Sequence, residues 1–225
     1  MDHHRVLDAF AAEAGQLTDA LGDLAREDWA RPTGCAPWSV AELLSHVRMT
    51  AARLPVMLAR RPVPARAEVS ARGYYRPDER FSPATDAVRI ASAQEEAAEH
   101  PDQVRAFEEV WREAYALCAA EPAERVVTTR HGDAMLLDDF LVTRVVELAV
   151  HGLDLALALE RPAWTTPQGA GVVEELLLGS PAPQGVPELG WDRALFLRKA
   201  TGREPVGAEE SVRLEALGVH WLTLG

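Results

Sequence analysis

At 225 residues, 48% of them hydrophobic and 26% charged, the chain is long enough for one sizeable core, or for a bundle with a small appendage. Its 35 acidic residues against 23 basic ones give a net charge of -12, which repels nucleic acid and anionic membrane surfaces. No apolar run reaches the roughly 18 residues of a membrane span, and Met1 to Phe10 lacks a signal-type apolar core, so a cytoplasmic protein with reduced Cys35 and Cys118 is expected.

The first predicted element is a helix over 3–26, where Leu7, Phe10, Ala14, Leu17, Leu21 and Leu24 recur at helical intervals. A loop from Trp29 to Pro37 leads to a second helix. Ser39 with Glu42 three residues on reads as a capping box that starts it, and Leu43, Val47, Ala51, Leu54 and Leu58 form its buried stripe. Pro55 should kink the second half of this helix, and Pro62 and Pro64 should end it. From 63 to 82 the chain is polar and irregular, with Tyr74, Tyr75, Arg76, Arg80 and Phe81. A connection this long reads as a lid or binding loop, with aromatic rings for stacking and arginines suited to an anionic substrate.

Ser82-Pro83 reads as the start of another helix, which Pro101 interrupts and which then continues to about Ala120. Val126-Val-Thr-Thr and Met135-Leu-Leu flank His131-Gly-Asp as a short hairpin or extended crossover. A strongly apolar helix over 138–159 follows, and Pro162 stops it. Shorter helices are expected over 167–179 and 191–202, separated by a loop from Ser180 to Pro187. The closing stretch from Val212 reads as a strand or a terminal arm. The pattern is all-α, with a helix bundle over 1–165 and a C-terminal extension, 166–225, packed on it.

Four ionisable residues interrupt the 138–159 helix: Arg144, Glu147, His151 and Asp154. At about 100° per residue they fall within an arc of roughly 80°, and apolar residues crowd them on both sides. Leaving such groups buried and unpaired costs several kcal/mol each, so they satisfy one another or hold something. Glu147 and His151 stand one turn apart, as two ligands of one metal ion require. His46, two turns into the second helix, supplies the complement: two histidines and a carboxylate are a common ligand count for a catalytic divalent metal with open positions. A structural network, with Arg144 neutralising Glu147 and His151 as a hydrogen-bonded core residue, accounts for the same column without a metal. Cys35 reads as a small buried residue beside Trp38.

The segments Trp29-x-x-Pro-Thr-x-Cys35-x-x-Trp38-Ser-Val-x-Glu-Leu-Leu-x-His46, Arg144-x-x-Glu147-x-x-x-His151-Gly-x-Asp154-Leu and Leu197-x-x-x-Thr-Gly-Arg203 together resemble the mycothiol-dependent maleylpyruvate isomerase family, within the DinB-like (YfiT-like) metalloenzymes. The resemblance implies an up-down-down-up four-helix bundle and a divalent metal, usually zinc, on His46, Glu147 and His151. It also implies mycothiol as thiol cosubstrate and a small electrophile as its partner, with catalysis as S-transferase or isomerase. Arg144, Asp154 and Arg80 are then candidates for the reaction, and Asp154, Arg76 and Arg203 for holding the thiol. A monomer or homodimer is expected. Lys199 is the only lysine, a bias expected of a GC-rich genome such as those of mycothiol-making actinobacteria. The competing expectation is a non-catalytic small-molecule-binding or stress-response protein with a vestigial or structural metal site.

Overall fold

The computed structural model describes residues 1–79, 82–179 and 189–222. The first helix, α1 (His3–Leu21), begins where the Asp2 carboxylate accepts the Arg5 amide at 3.1 Å, which satisfies one of the orphan donors of the first turn. It ends at Gly22 rather than continuing to residue 26, so Leu24 packs on the core from a turn.

Helix α2 (Val40–Ala51) carries the capping box in both directions: Ser39 accepts the Glu42 amide, and Glu42 accepts the Ser39 amide at 2.6 Å. The disruption assigned to Pro55 falls earlier, at Ala52. The chain restarts there as α3 (Arg53–Ala59), which places Pro55 in the first turn, where no amide is needed. Within the segment expected to be irregular, Ser70 caps a single turn, α4 (Ala71–Tyr74).

Ser82 and Pro83 open α5 (Pro83–Glu99), and Asp102 caps α6 (Gln103–Ala119) after the break at Pro101. Strands β1 (Val126–Thr128) and β2 (Ala134–Leu136) pair antiparallel with Val127 opposite Met135. Helix α7 (Leu137–Ala158) follows at once. Most of its residues are buried, which explains why its polar column cannot be a solvated face.

Helix α7 packs against α1 and α2, while α6 closes the other side of both and α5 lies along α2. Fully buried Phe10, Phe107 and Phe140 fill the space between these helices, each burial contributing roughly 1.5–3 kcal/mol. After the chain leaves α7, helix α8 (Pro167–Leu178) lies on α1 and α7, and α9 (Arg193–Ala200) lies on α7 and α8.

Two expectations are corrected. The C-terminal stretch holds a helix, α10 (Ala208–Ala216), where Glu210 Oε2 accepts the Gly207 amide at 2.8 Å and Leu214 is the buried anchor. The aromatic pair expected on a lid is core instead. Tyr75 is 2% exposed and donates its hydroxyl to the Thr143 carbonyl at 3.1 Å, while Tyr74 meets Phe140 edge-on at 6.0 Å. Arg80 and Phe81, the other lid residues, lie outside the described residues, as does the 180–188 stretch between α8 and α9.

Candidate metal centre

Helix α2 presents His46 to α7, and α7 presents Glu147 and His151 one turn apart. Glu147 Oε2 lies 3.4 Å from His46 Nε2 and 3.3 Å from His151 Nε2, and one ligand atom from each of the three falls within 4.8 Å of the others. Donors at about 2.0–2.1 Å from a tetrahedral zinc ion stand about 3.3–3.4 Å from one another, so these separations match edges of such a coordination shell. They are long for charge-assisted hydrogen bonds. The donor set of two imidazoles and one carboxylate therefore suits a divalent metal along both edges that meet at Glu147, and leaves coordination positions for a small molecule.

The electrostatics prepare His46 and Glu147 as ligands, whereas His151 must give up a proton to an incoming ion. Burial pushes the His46 pKa down to about 4, against the attraction of Glu147, so its ring is neutral and carries a free lone pair. Burial opposes ionisation of Glu147, yet hydrogen bonding to His151 and His46 and the Arg144 charge hold it well below the usual carboxylate range. Burial likewise opposes a charged His151, but Asp154, Cys35 and Glu147 outweigh it and hold that ring well above the usual range. His46 is fixed in place by Trp38, whose indole stacks on it at 4.7 Å.

Asp154, one turn beyond His151, has Oδ2 at 3.0 Å from His151 Nδ1. An Nδ1–H donated to that oxygen points Nε2 at Glu147, and an ion binding there would displace the Nε2 proton that the neighbouring carboxylates favour, the arrangement that orients a metal-binding histidine. Two further groups converge on Asp154 Oδ2: the Cys35 thiol at 3.1 Å, and Arg203 Nε at 3.4 Å, brought in by the turn after α9. Cys35, Asp154 and Arg203 border a cavity of about 470 Å³, walled also by Trp38 and Arg89, and the three candidate ligands lie behind that wall.

The remaining predicted residues lie elsewhere. Arg144 is buried beside Glu147 at 3.9 Å, bonds to Thr143 Oγ1 and the Thr50 carbonyl, and covers the Phe140 ring; it neutralises Glu147 from within the core and does not border the cavity. Arg76 is exposed, reaches Asp78 at 3.2 Å and Asp133 at 3.4 Å, and borders a different cleft, so the structure does not bring it to His151. Arg80 lies outside the described residues. Sequence reasoning missed Arg89, which pairs with Asp86 and faces the cavity. Asp86-x-x-Arg89 carries no signal distinguishing it from a surface helix pair. It also undervalued Cys35, whose contacts with His151 and Asp154 span 116 and 119 positions of sequence.

Fold and site together define a helical protein with a two-histidine, one-carboxylate centre between two core helices. The chain belongs to the family of the mycothiol maleylpyruvate isomerase N-terminal domain, an enzyme family whose model matches residues 10–156. Among solved structures it is similar to a mutant of the mycothiol-dependent maleylpyruvate isomerase, with 15% identity, a TM-score of 0.51, and coverage of 91% of this chain and 90% of that one. Another structure of the mycothiol-dependent maleylpyruvate isomerase matches with a TM-score of 0.49, also at 15% identity over 91% and 90% of the two chains. At that identity the likeness speaks for the fold alone. No curated protein sequence matches the chain. Among the described residues, no helix is long and apolar enough to cross a membrane.

Proposed function

We propose that the chain is a mycothiol-dependent enzyme, an isomerase or S-transferase, that acts on a small electrophile at a divalent metal held by His46, Glu147 and His151. The observation that carries this reading is the closeness of those three side chains, behind Trp38 and Asp154 of a cavity wall, in a chain of this family. Zinc suits the two-imidazole, one-carboxylate set. Bound there, it would supply the Lewis acidity that lets a small thiol react as its thiolate near neutral pH.

The protein's own groups do the rest. Asp154 holds the His151 ring by Nδ1, Trp38 holds the His46 ring by stacking, and Arg144, 3.9 Å away, offsets the charge of the partly buried Glu147. Arg89 and Arg203, each paired with a carboxylate of the same cavity, Asp86 and Asp154, give it guanidinium donors suited to polar groups of thiol and substrate. A volume of about 470 Å³ accommodates small reactants and not a macromolecule. In the isomerase branch, thiolate addition to a cis double bond allows rotation, and elimination returns the thiol. In the transferase branch, the thiolate attacks an electrophilic carbon, a leaving group departs with the electron pair of its bond to that carbon, and the new carbon–sulfur bond remains. We place the protein in the cytoplasm, where such thiols are kept reduced.

The test is turnover of maleylpyruvate, and of a panel of electrophiles, with and without mycothiol. Metal- and thiol-dependent conversion by the wild type, lost in His151→Ala with the helical circular dichroism retained, supports the reading. Full turnover without thiol contradicts it. A chain that binds small molecules with neither metal nor turnover would be the non-catalytic alternative.

A further inference from the structure

His151 is shared by two clusters. Its Nε2 faces Glu147 and, across the helix pair, His46; its Nδ1 faces Asp154 Oδ2 at 3.0 Å and Cys35 Sγ at 4.0 Å, and Cys35 Sγ lies 3.1 Å from Asp154 Oδ2. One donor atom from each of Cys35, His151 and Asp154 falls within 4.8 Å of the others, the same closeness as in the first cluster. A thiolate and an imidazole on one tetrahedral zinc ion stand about 3.5 Å apart, so the cluster needs shifts of only about half an ångström to enclose an ion. Cys35 and Asp154 both border the cavity, so an ion can reach them from solvent without passing His46 or Glu147.

We propose that Cys35, His151 Nδ1 and Asp154 form a second metal site, for a thiophilic ion such as zinc or cadmium, bridged through His151 to the site proposed above. The thiolate supplies the soft donor that the first cluster lacks, which biases this site toward thiophilic metals. Filling it releases two protons to solvent, one from the Cys35 thiol and one from His151 Nδ1, and leaves His151 as a bridging imidazolate between the two ions. Cys35 and Asp154 then contribute two negative charges and the imidazolate a third, offsetting the second ion and the Arg203 guanidinium, which lies 3.4 Å from Asp154 Oδ2. Arg203 must turn to the other Asp154 oxygen as the ion enters. The consequence is inhibition: an ion held by Cys35 and Asp154 sits on the cavity wall and takes the Nδ1 proton that Asp154 accepts. The site depends on the function proposed above only through His151.

The experiment is a cadmium titration of the metal-stripped full-length chain, reading bound metal by equilibrium dialysis and thiolate-to-cadmium charge transfer by ultraviolet absorbance. The wild type is expected to take up a second ion together with the thiolate band. Cys35→Ser should lose the band and that ion, while retaining the first. Cys118 cannot supply the band readily, being fully buried, with its thiol pushed up to about 12 by desolvation. His46→Ala should keep the band and lose the other ion. Absence of a thiolate band in the wild type at saturating cadmium, or a band that survives Cys35→Ser, overturns the second site. If His46→Ala keeps both ions, the second site stands and the His46 assignment fails.

Discussion

His151 and Asp154 lie one turn apart on α7 with Nδ1 and Oδ2 at 3.0 Å, and the same carboxylate oxygen receives the Cys35 thiol and the Arg203 guanidinium. One carboxylate thus ties the loop before α2, the core helix and the turn after α9 to a single imidazole. Asp154→Asn keeps the size of the side chain but removes the charge that fixes the His151 tautomer. Zinc affinity, measured by competition with a chromogenic chelator, should fall about 10–100-fold, with the helical signal unchanged. Unchanged affinity would reduce Asp154 to a helix-packing residue.

Glu13 gives a pH dependence separate from the metal. It is 3% exposed on α1, and burial pushes its pKa up to about 7 despite hydrogen bonds from the Thr166 amide and hydroxyl to Oε1. The folded chain keeps this proton to a higher pH than the unfolded chain, whose carboxyl titrates near 4.5. Stability from the neutral carboxyl is therefore fully present below pH 4.5 and is lost as pH rises toward 7, by up to about 3 kcal/mol. Glu13→Gln mimics the neutral form and keeps the acceptor for Thr166. Its denaturant midpoint should exceed that of the wild type at pH 8 and converge with it near pH 4.5. Parallel pH profiles for the two proteins would show that Glu13 does not titrate in this window.

The same carboxylate constrains α8. A methyl group added at Gly169, in the first turn of that helix, would overlap Glu13 Oε1, and Glu13 cannot retreat without giving up Thr166. Gly169→Ala should therefore cost about 1–3 kcal/mol by thermal or urea unfolding, although alanine is the better helix former. A neutral or stabilising effect would mean that α8 is free to move away from α1.

Much of this was legible from the chain because the signals were local. Ser39 and Glu42 announce the start of α2 within four residues, and Glu147 and His151 share a helix face whatever surrounds that helix. What distance decided was harder to read. Tyr74 and Tyr75 sit in a polar stretch that says loop, yet Phe140 and the Thr143 carbonyl on α7 draw both rings inward. Arg76 and Arg203 looked alike as cations in connections, but only Arg203 meets Asp154, because α9 docks on α7. In α10 a single buried leucine, Leu214, leaves almost no apolar period, so its alternating residues imitate a strand.

The central claim is that His46, Glu147 and His151 hold one divalent ion, and the most direct measurement is anomalous diffraction at the zinc edge from crystals of the wild type grown with zinc. The account predicts a peak about 2.0–2.2 Å from His46 Nε2, a Glu147 carboxylate oxygen and His151 Nε2 together. Zinc-saturated crystals with no peak between α2 and α7, or with His46 turned away from an ion held by the other two, would contradict it.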